Sequence, residues 1–75
     1  MNWQQIQGKW HEYKGQAKQR WGKLTDQDLT VINGKREVLL GKLLERTGVT
    51  KEIAEKEIAE FEKQVKEVKG EAKSL

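Results

Sequence analysis

Asp26 and Asp28 stand two residues apart, a carboxylate pair of the kind that could relay a proton or hold a cation. Neither histidine nor a third oxygen ligand stands beside them. They follow Thr25 directly, and at the front of a helix such residues cap free N–H groups and complement the helix dipole. Capping is the simpler reading. His11, the one histidine, has no partner at ligand spacing and reads as an exposed surface residue. The chain has no cysteine, so disulfides, thiolate nucleophiles and sulfur-bound zinc drop out. The one serine, Ser74, lies near the end, which leaves no Ser-His-Asp constellation to assemble. Gly8, Gly15 and Gly22 match no phosphate-binding loop. The expectation is no catalytic residue, no metal ligand and no cofactor, with an enzyme the least favoured class.

A second constellation is basic and aromatic. Lys9, Lys14, Lys18, Arg20 and Lys23 interleave with Trp10, Tyr13 and Trp21, as on surfaces that bind single-stranded nucleic acid or anionic lipid. Residues 1–23 carry a net +4, residues 24–50 net 0 and residues 51–75 net −1, within the +3 of the chain. The aromatics, however, share one helical face with Ile6 and Ala17, as core residues do, and the bases flank that face on both sides. A charge of +3 also serves solubility alone. Nucleic-acid or anionic-surface binding by the five bases is therefore the alternative to a core reading.

The elements that must position these residues are helical. Trp3, Ile6, Trp10, Tyr13, Ala17 and Trp21 recur at spacings of 3 and 4, a stripe spanning roughly 80° of the helical wheel. They predict one helix over 3–22, weakened by interior glycines at up to about 1 kcal/mol each. Thr25 with Asp28 forms a shortened capping box for a short helix over about 26–33, which Asn33-Gly34 ends. A third helix over about 35–47 offers Leu39, Leu40, Leu43 and Leu44 and closes at Gly48. Thr50 caps a fourth, from 51 to about 72, whose Ala54, Ile58, Phe61, Val65, Val68 and Ala72 follow a coiled-coil seam. At 1.5 Å per residue that helix would reach about 33 Å, against about 20 Å for the third. Phe61, Val65 and Val68 thus form a candidate seam for a partner helix, with residues 66–75 frayed and the protein a monomer or at most a weak dimer. The core is expected to hold Trp10, Tyr13, Trp21, Leu29, Ile32, Leu39, Leu40, Leu43, Ile58 and Phe61.

Gly8-Lys9, Gly15, Arg20 and Gly22 reappear 26 positions later as Gly34-Lys35, Gly41, Arg46 and Gly48. Such a period marks a duplicated supersecondary unit, here a hairpin. A third echo sets Glu67-Val68-Lys69-Gly70-Glu71-Ala72-Lys73 against Glu12-Tyr13-Lys14-Gly15-Gln16-Ala17-Lys18. Seventy-five residues, 35% hydrophobic and 36% charged without proline, suit one small all-α domain of four helices over 1–75. A chain of this size buries only about 60% of its unfolded surface, too little for a large catalytic cleft. No apolar run approaches the ~18 residues of a membrane span, and no secretory signal pattern opens the chain. The cytoplasm is the expected compartment, without integral membrane association.

The run Tyr13-Lys14-Gly15, Trp21-Gly22-Lys23-Leu24-Thr25-Asp26-Gln27-Asp28-Leu29, Gly34, Gly41-Lys42, Glu45-Arg46, Gly48 and Ala54-Glu55 resembles the CsbD-like family of small bacterial general-stress proteins, over roughly residues 3–61. Thr47, where relatives often carry an aromatic, and Gln27, within an often acidic run, depart from the pattern. The resemblance implies a stress-induced cytoplasmic bacterial protein with two α-hairpins packed crosswise, and it brings no catalytic residues. Three activities fit beneath it. A mean hydropathy of −0.93, seven glycines and the Lys-Gly-x-Ala-Lys runs at 14–18 and 69–73 suit a hydrated protein that shields client proteins. The five bases suit nucleic-acid binding. The fourth-helix seam suits an interaction module.

Overall fold

The computed structural model describes residues 2–65. They form five helices: α1 (Trp3–Gly8), α2 (Trp10–Arg20), α3 (Asp26–Ile32), α4 (Arg36–Thr47) and α5 (Lys51–Gln64). No strand occurs among the described residues. The fold is all-helical, with five helices where four were expected.

The extra helix comes from a break in the first. At Lys9 the backbone turns to φ −125° and ψ 39°, and the Lys9 N–H reaches back only to Ile6 O at 3.2 Å. A continuous helix would hold Trp3 and Trp10 about 10.5 Å apart along its axis. The break brings their ring centroids to 6.4 Å and sets Trp3 6.3 Å from Phe61. Ile6 becomes fully buried. Burying one such side chain is worth about 1.5–3 kcal/mol, enough to offset the one or two helical hydrogen bonds lost, at about 1 kcal/mol each. Asn2 starts α1 with its own capping box: its side chain accepts from the Gln5 N–H at 3.0 Å, and Gln5 Oε1 accepts from the Asn2 N–H at 3.2 Å.

The other boundaries follow local chemistry. Thr25 Oγ1 accepts from the Asp28 N–H, and Asp28 Oδ2 accepts from the Thr25 N–H, both at 3.0 Å. Asn33 (φ 48°) and Gly34 (φ 81°) end α3 in two successive left-handed residues. Gly48 (φ 72°) closes α4, and the Thr50 hydroxyl caps α5 through the Ile53 N–H at 3.3 Å. The expected run of the last helix to about 72 is corrected. Val65 is extended (φ −65°, ψ 137°), so α5 stops at Gln64 after 14 residues, about 21 Å. The expectations for Val68, Ala72, the echo at 67–73 and fraying over 66–75 lie outside the described residues.

Each helix packs on the next in chain order, and Trp21 against Phe61 (centroids 5.1 Å apart) ties α2 to α5. Nine of the ten expected core residues are buried. Leu40 is only half-buried, because Leu39 and Leu43 take the inward positions of α4. Ile6, Ala17, Leu24, Ala54 and Val65 complete the core.

Candidate functional site

The five bases do not form one surface. Lys9 is exposed and occupies the N-cap of α2 without a side-chain hydrogen bond. Lys14 and Lys18 project one turn apart into an open cleft of about 510 Å³ between α2 and α3, which Glu12 and Asp26 also line. Lys18 Nζ donates to Leu24 O at 2.6 Å, fastening the end of α2 to the loop beyond it. Arg20 points the other way, toward α5, donating to Glu60 Oε1 at 2.9 Å and Gln64 Oε1 at 3.1 Å. Its guanidinium carbon lies 5.7 Å from the centre of the Trp21 ring. Lys23 is exposed and shares a shallow depression of about 400 Å³ with Arg20 and Glu57. The structure thus brings Lys14 to Lys18 and Arg20 to Lys23 on separate sides of α2. Carboxylates accompany both pairs, Glu12 and Asp26 beside Lys14 and Lys18, and Glu57 beside Arg20 and Lys23.

The strongest electrostatic cluster joins α3 to α4. Asp28 is 3% exposed and accepts two hydrogen bonds from Arg46, Nε to Oδ2 at 2.9 Å and Nη2 to Oδ1 at 3.0 Å. Lys42 Nζ stands 3.6 Å from Oδ1. The Arg46 hydrogen bonds, with the Thr25 N–H, hold the Asp28 carboxyl well below the usual carboxylate range. Asp28 in turn raises the Arg46 guanidinium above its ordinary value. A carboxylate held this firmly in its ionised form is a poor general acid or base near neutral pH. Asp28 therefore caps α3 and clasps α4. The capping role was legible in the sequence, whereas the clasp was not; its one sequence signal was Arg46 as the repeat partner of Arg20.

The remaining candidates fall into place simply. Asp26 lies at the first position of α3 and is exposed. His11 is exposed, with Nε2 3.8 Å from Glu12 Oε2. Among the described residues no group of histidine, aspartate or glutamate side chains could hold a metal ion, and no helix is long and apolar enough to cross a membrane. Phe61 and Val65, expected on a seam for a partner helix, are 3% and 8% exposed within the chain's own core; Val68 lies outside the described residues. All three indole N–H groups cross between elements, Trp3 to Gly34 O at 2.6 Å, Trp10 to Leu29 O at 2.8 Å and Trp21 to Glu57 Oε1 at 2.9 Å.

Residues 4–56, which include the Thr25–Asp28 box, the Asp28–Arg46 clasp and both left-handed turns, match the model of a family described as CsbD-like. The chain belongs to the CsbD-like family. Among its curated relatives is the UPF0337 protein ECA0631 of Pectobacterium atrosepticum, 56% identical over 62 residues, covering 83% of this chain and 90% of the relative. UPF0337 protein YjbJ of Escherichia coli is 50% identical over 62 residues, with the same coverage of both chains. UPF0337 protein pc0632 of Protochlamydia amoebophila is 56% identical over 62 residues, covering 83% and 94%. No solved structure matches the chain. As a CsbD-like protein it joins bacterial relatives whose names assign no activity. Its site residues must be judged on their own geometry.

Proposed function

We propose that this CsbD-like protein is a non-enzymatic general stress-response protein of the bacterial cytoplasm, acting by binding to or physically shielding other macromolecules. The observation that supports this reading is where the polar groups go. Asp28, Arg46, Arg20 and the indole N–H groups are engaged in holding helices together. The outward faces are mostly polar, with Val31, Leu44 and Ile53 the large hydrophobic side chains exposed among the described residues. Gly15 and Gly41 sit exposed inside their helices with open space around them, and the chain as a whole is 36% charged. In this reading the α2–α3 and α4–α5 hairpins are two halves packed crosswise around a core, with no cleft organised for a reaction.

The test is protection of a labile reporter enzyme through drying or freezing. Retained activity should exceed that given by an equal mass of an unrelated small helical protein. Equal retention would remove the shielding reading. Titration with single-stranded DNA at low salt runs alongside it, since binding through lysines must fall steeply as salt rises.

A further inference from the structure

The 26-residue repeat has a structural counterpart. Arg20, in the half containing α2 and α3, reaches Glu60 on α5 at 2.9 Å. Arg46, its repeat equivalent in the half containing α4 and α5, reaches Asp28 on α3 at 2.9 Å. Each half sends its arginine to the second helix of the other. Trp21 crosses the same boundary, donating to Glu57 and packing on Phe61. The halves are joined through Asn33, Gly34 and Lys35, the three residues between α3 and α4. A second copy of the chain offers the same half-surfaces in the same register.

The joint is held in a geometry that two of its residues take only with φ above zero. Asn33 and Gly34 both hold left-handed torsions, a conformation in which a side chain is rarely found and which Asn tolerates better than most residues. α4 begins at Lys35 with no side-chain cap, as α2 does at Lys9, whereas α1, α3 and α5 are capped. If Asn33, Gly34 and the extended Lys35 (φ −83°, ψ 120°) all took right-handed helical torsions, α3 would run directly into α4. The carbonyls ending α3 would then satisfy the first N–H groups of α4. One element opposes this. Trp3 of α1 donates its indole N–H to Gly34 O at 2.6 Å, and Gln7 lies so close that its Cα would be 2.9 Å from a Cβ at Gly34.

We infer that α1 is a latch on this hinge, and that its release lets two copies exchange halves. In the exchanged dimer, α1–α3 of one chain pack on α4–α5 of the other. The Arg20–Glu60, Arg46–Asp28, Trp21–Glu57 and Trp21–Phe61 contacts then all form between chains. Such exchange needs no new surface, only an opened hinge.

The full-length protein tests this. It is held at millimolar concentration, warmed into its unfolding transition, cooled, and sized by light scattering. Chains carrying different isotope labels are mixed before warming, and NOEs between the Trp21 and Phe61 rings of unlike chains are sought. A dimer showing those interchain NOEs is the expected result. Trp3→Phe keeps a ring against Trp10 and Phe61 but loses the bond to Gly34; with two hinges opened per dimer, dimerisation should tighten about tenfold or more. Asn33→Gly, which eases the left-handed torsion of the closed hinge, should weaken it, and covers the case in which Trp3→Phe does not fold. A wild-type chain that stays monomeric throughout overturns the inference. A dimer in which Trp21 and Phe61 contact only within each chain overturns it equally.

Discussion

Replacing Trp21 by alanine tests the reading of the aromatic stripe as core. Trp21 is 5% exposed, packs tilted against Phe61 with ring centroids 5.1 Å apart and donates to Glu57 at 2.9 Å. Truncating a buried tryptophan to alanine costs about 3–5 kcal/mol. At 0.05–0.15 kcal/mol per residue, a chain of this length has about 4–11 kcal/mol in total, so Trp21→Ala should remove from about a quarter to all of its stability and lower Tm by more than about 10 °C. Trp21→Phe separates packing from hydrogen bonding. It keeps most of the ring against Phe61 and frees Glu57, which is half-exposed and can turn to water. Its cost should be about 1–2 kcal/mol, from the lost bond and a small void, or roughly 4–16 °C in Tm. Circular dichroism melts and urea titrations of both variants give the two numbers. An alanine variant melting within a degree or two of the wild type would refute the core assignment. Equal costs for phenylalanine and alanine would refute the partition between ring and N–H.

Asp28 has its folded pKa depressed, so its contribution is fully present above the ordinary aspartate range, near pH 4. It is lost as pH falls below that range; acid titration of Tm should show this slope, and Asp28→Asn should flatten it. Gly15→Ala and Gly41→Ala place a methyl group in open space on helices and should each raise stability by about 0.5–1 kcal/mol in urea titrations. Gly48→Ala, at φ 72°, should lower it by about 1–2 kcal/mol despite equally open surroundings. Lys14→Glu should leave the melt unchanged, since Lys14 is exposed, and should abolish any salt-sensitive DNA binding; unaltered binding would exclude the α2–α3 cleft as its site.

Features written in neighbouring residues were legible. Thr25 and Asp28 announced the start of α3, Asn33-Gly34 its end, Gly48 the end of α4 and Thr50 the start of α5, because each is a local backbone requirement met by a local side chain. The break at Lys9 was not. The apolar stripe runs through it at helical spacing, and what decides it is distant: Gly34 and Phe61, which Trp3 reaches only when α1 turns away. Leu40 packs only on the margin of the core for a related reason: the four leucines spread over about 140° of the wheel, and Leu39 and Leu43, about 40° apart, face inward. The Arg46 clasp joins positions 18 apart in sequence, a distance over which composition carries no pairing information. Nothing in the local sequence stops α5 at Gln64; Val65 leaves the helix and is buried in the core.

The placement of the three indoles turns the molecule into its own measuring device. Trp3 rests on the hinge carbonyl, Trp10 on the carbonyl of Leu29 and Trp21 on the side chain of Glu57, so each ring sits at a different joint. Chains that keep one tryptophan and carry phenylalanine at the other two would each fluoresce from one joint alone. Each emission curve, set against the circular dichroism melt of the same chain, would then show whether its joint opens with the helices or before them. Coincident curves within each chain would mean that the helices let go together. A Trp3 signal that moves before the circular dichroism of its own chain would mean that the N-terminal turn opens while the rest of the structure still holds.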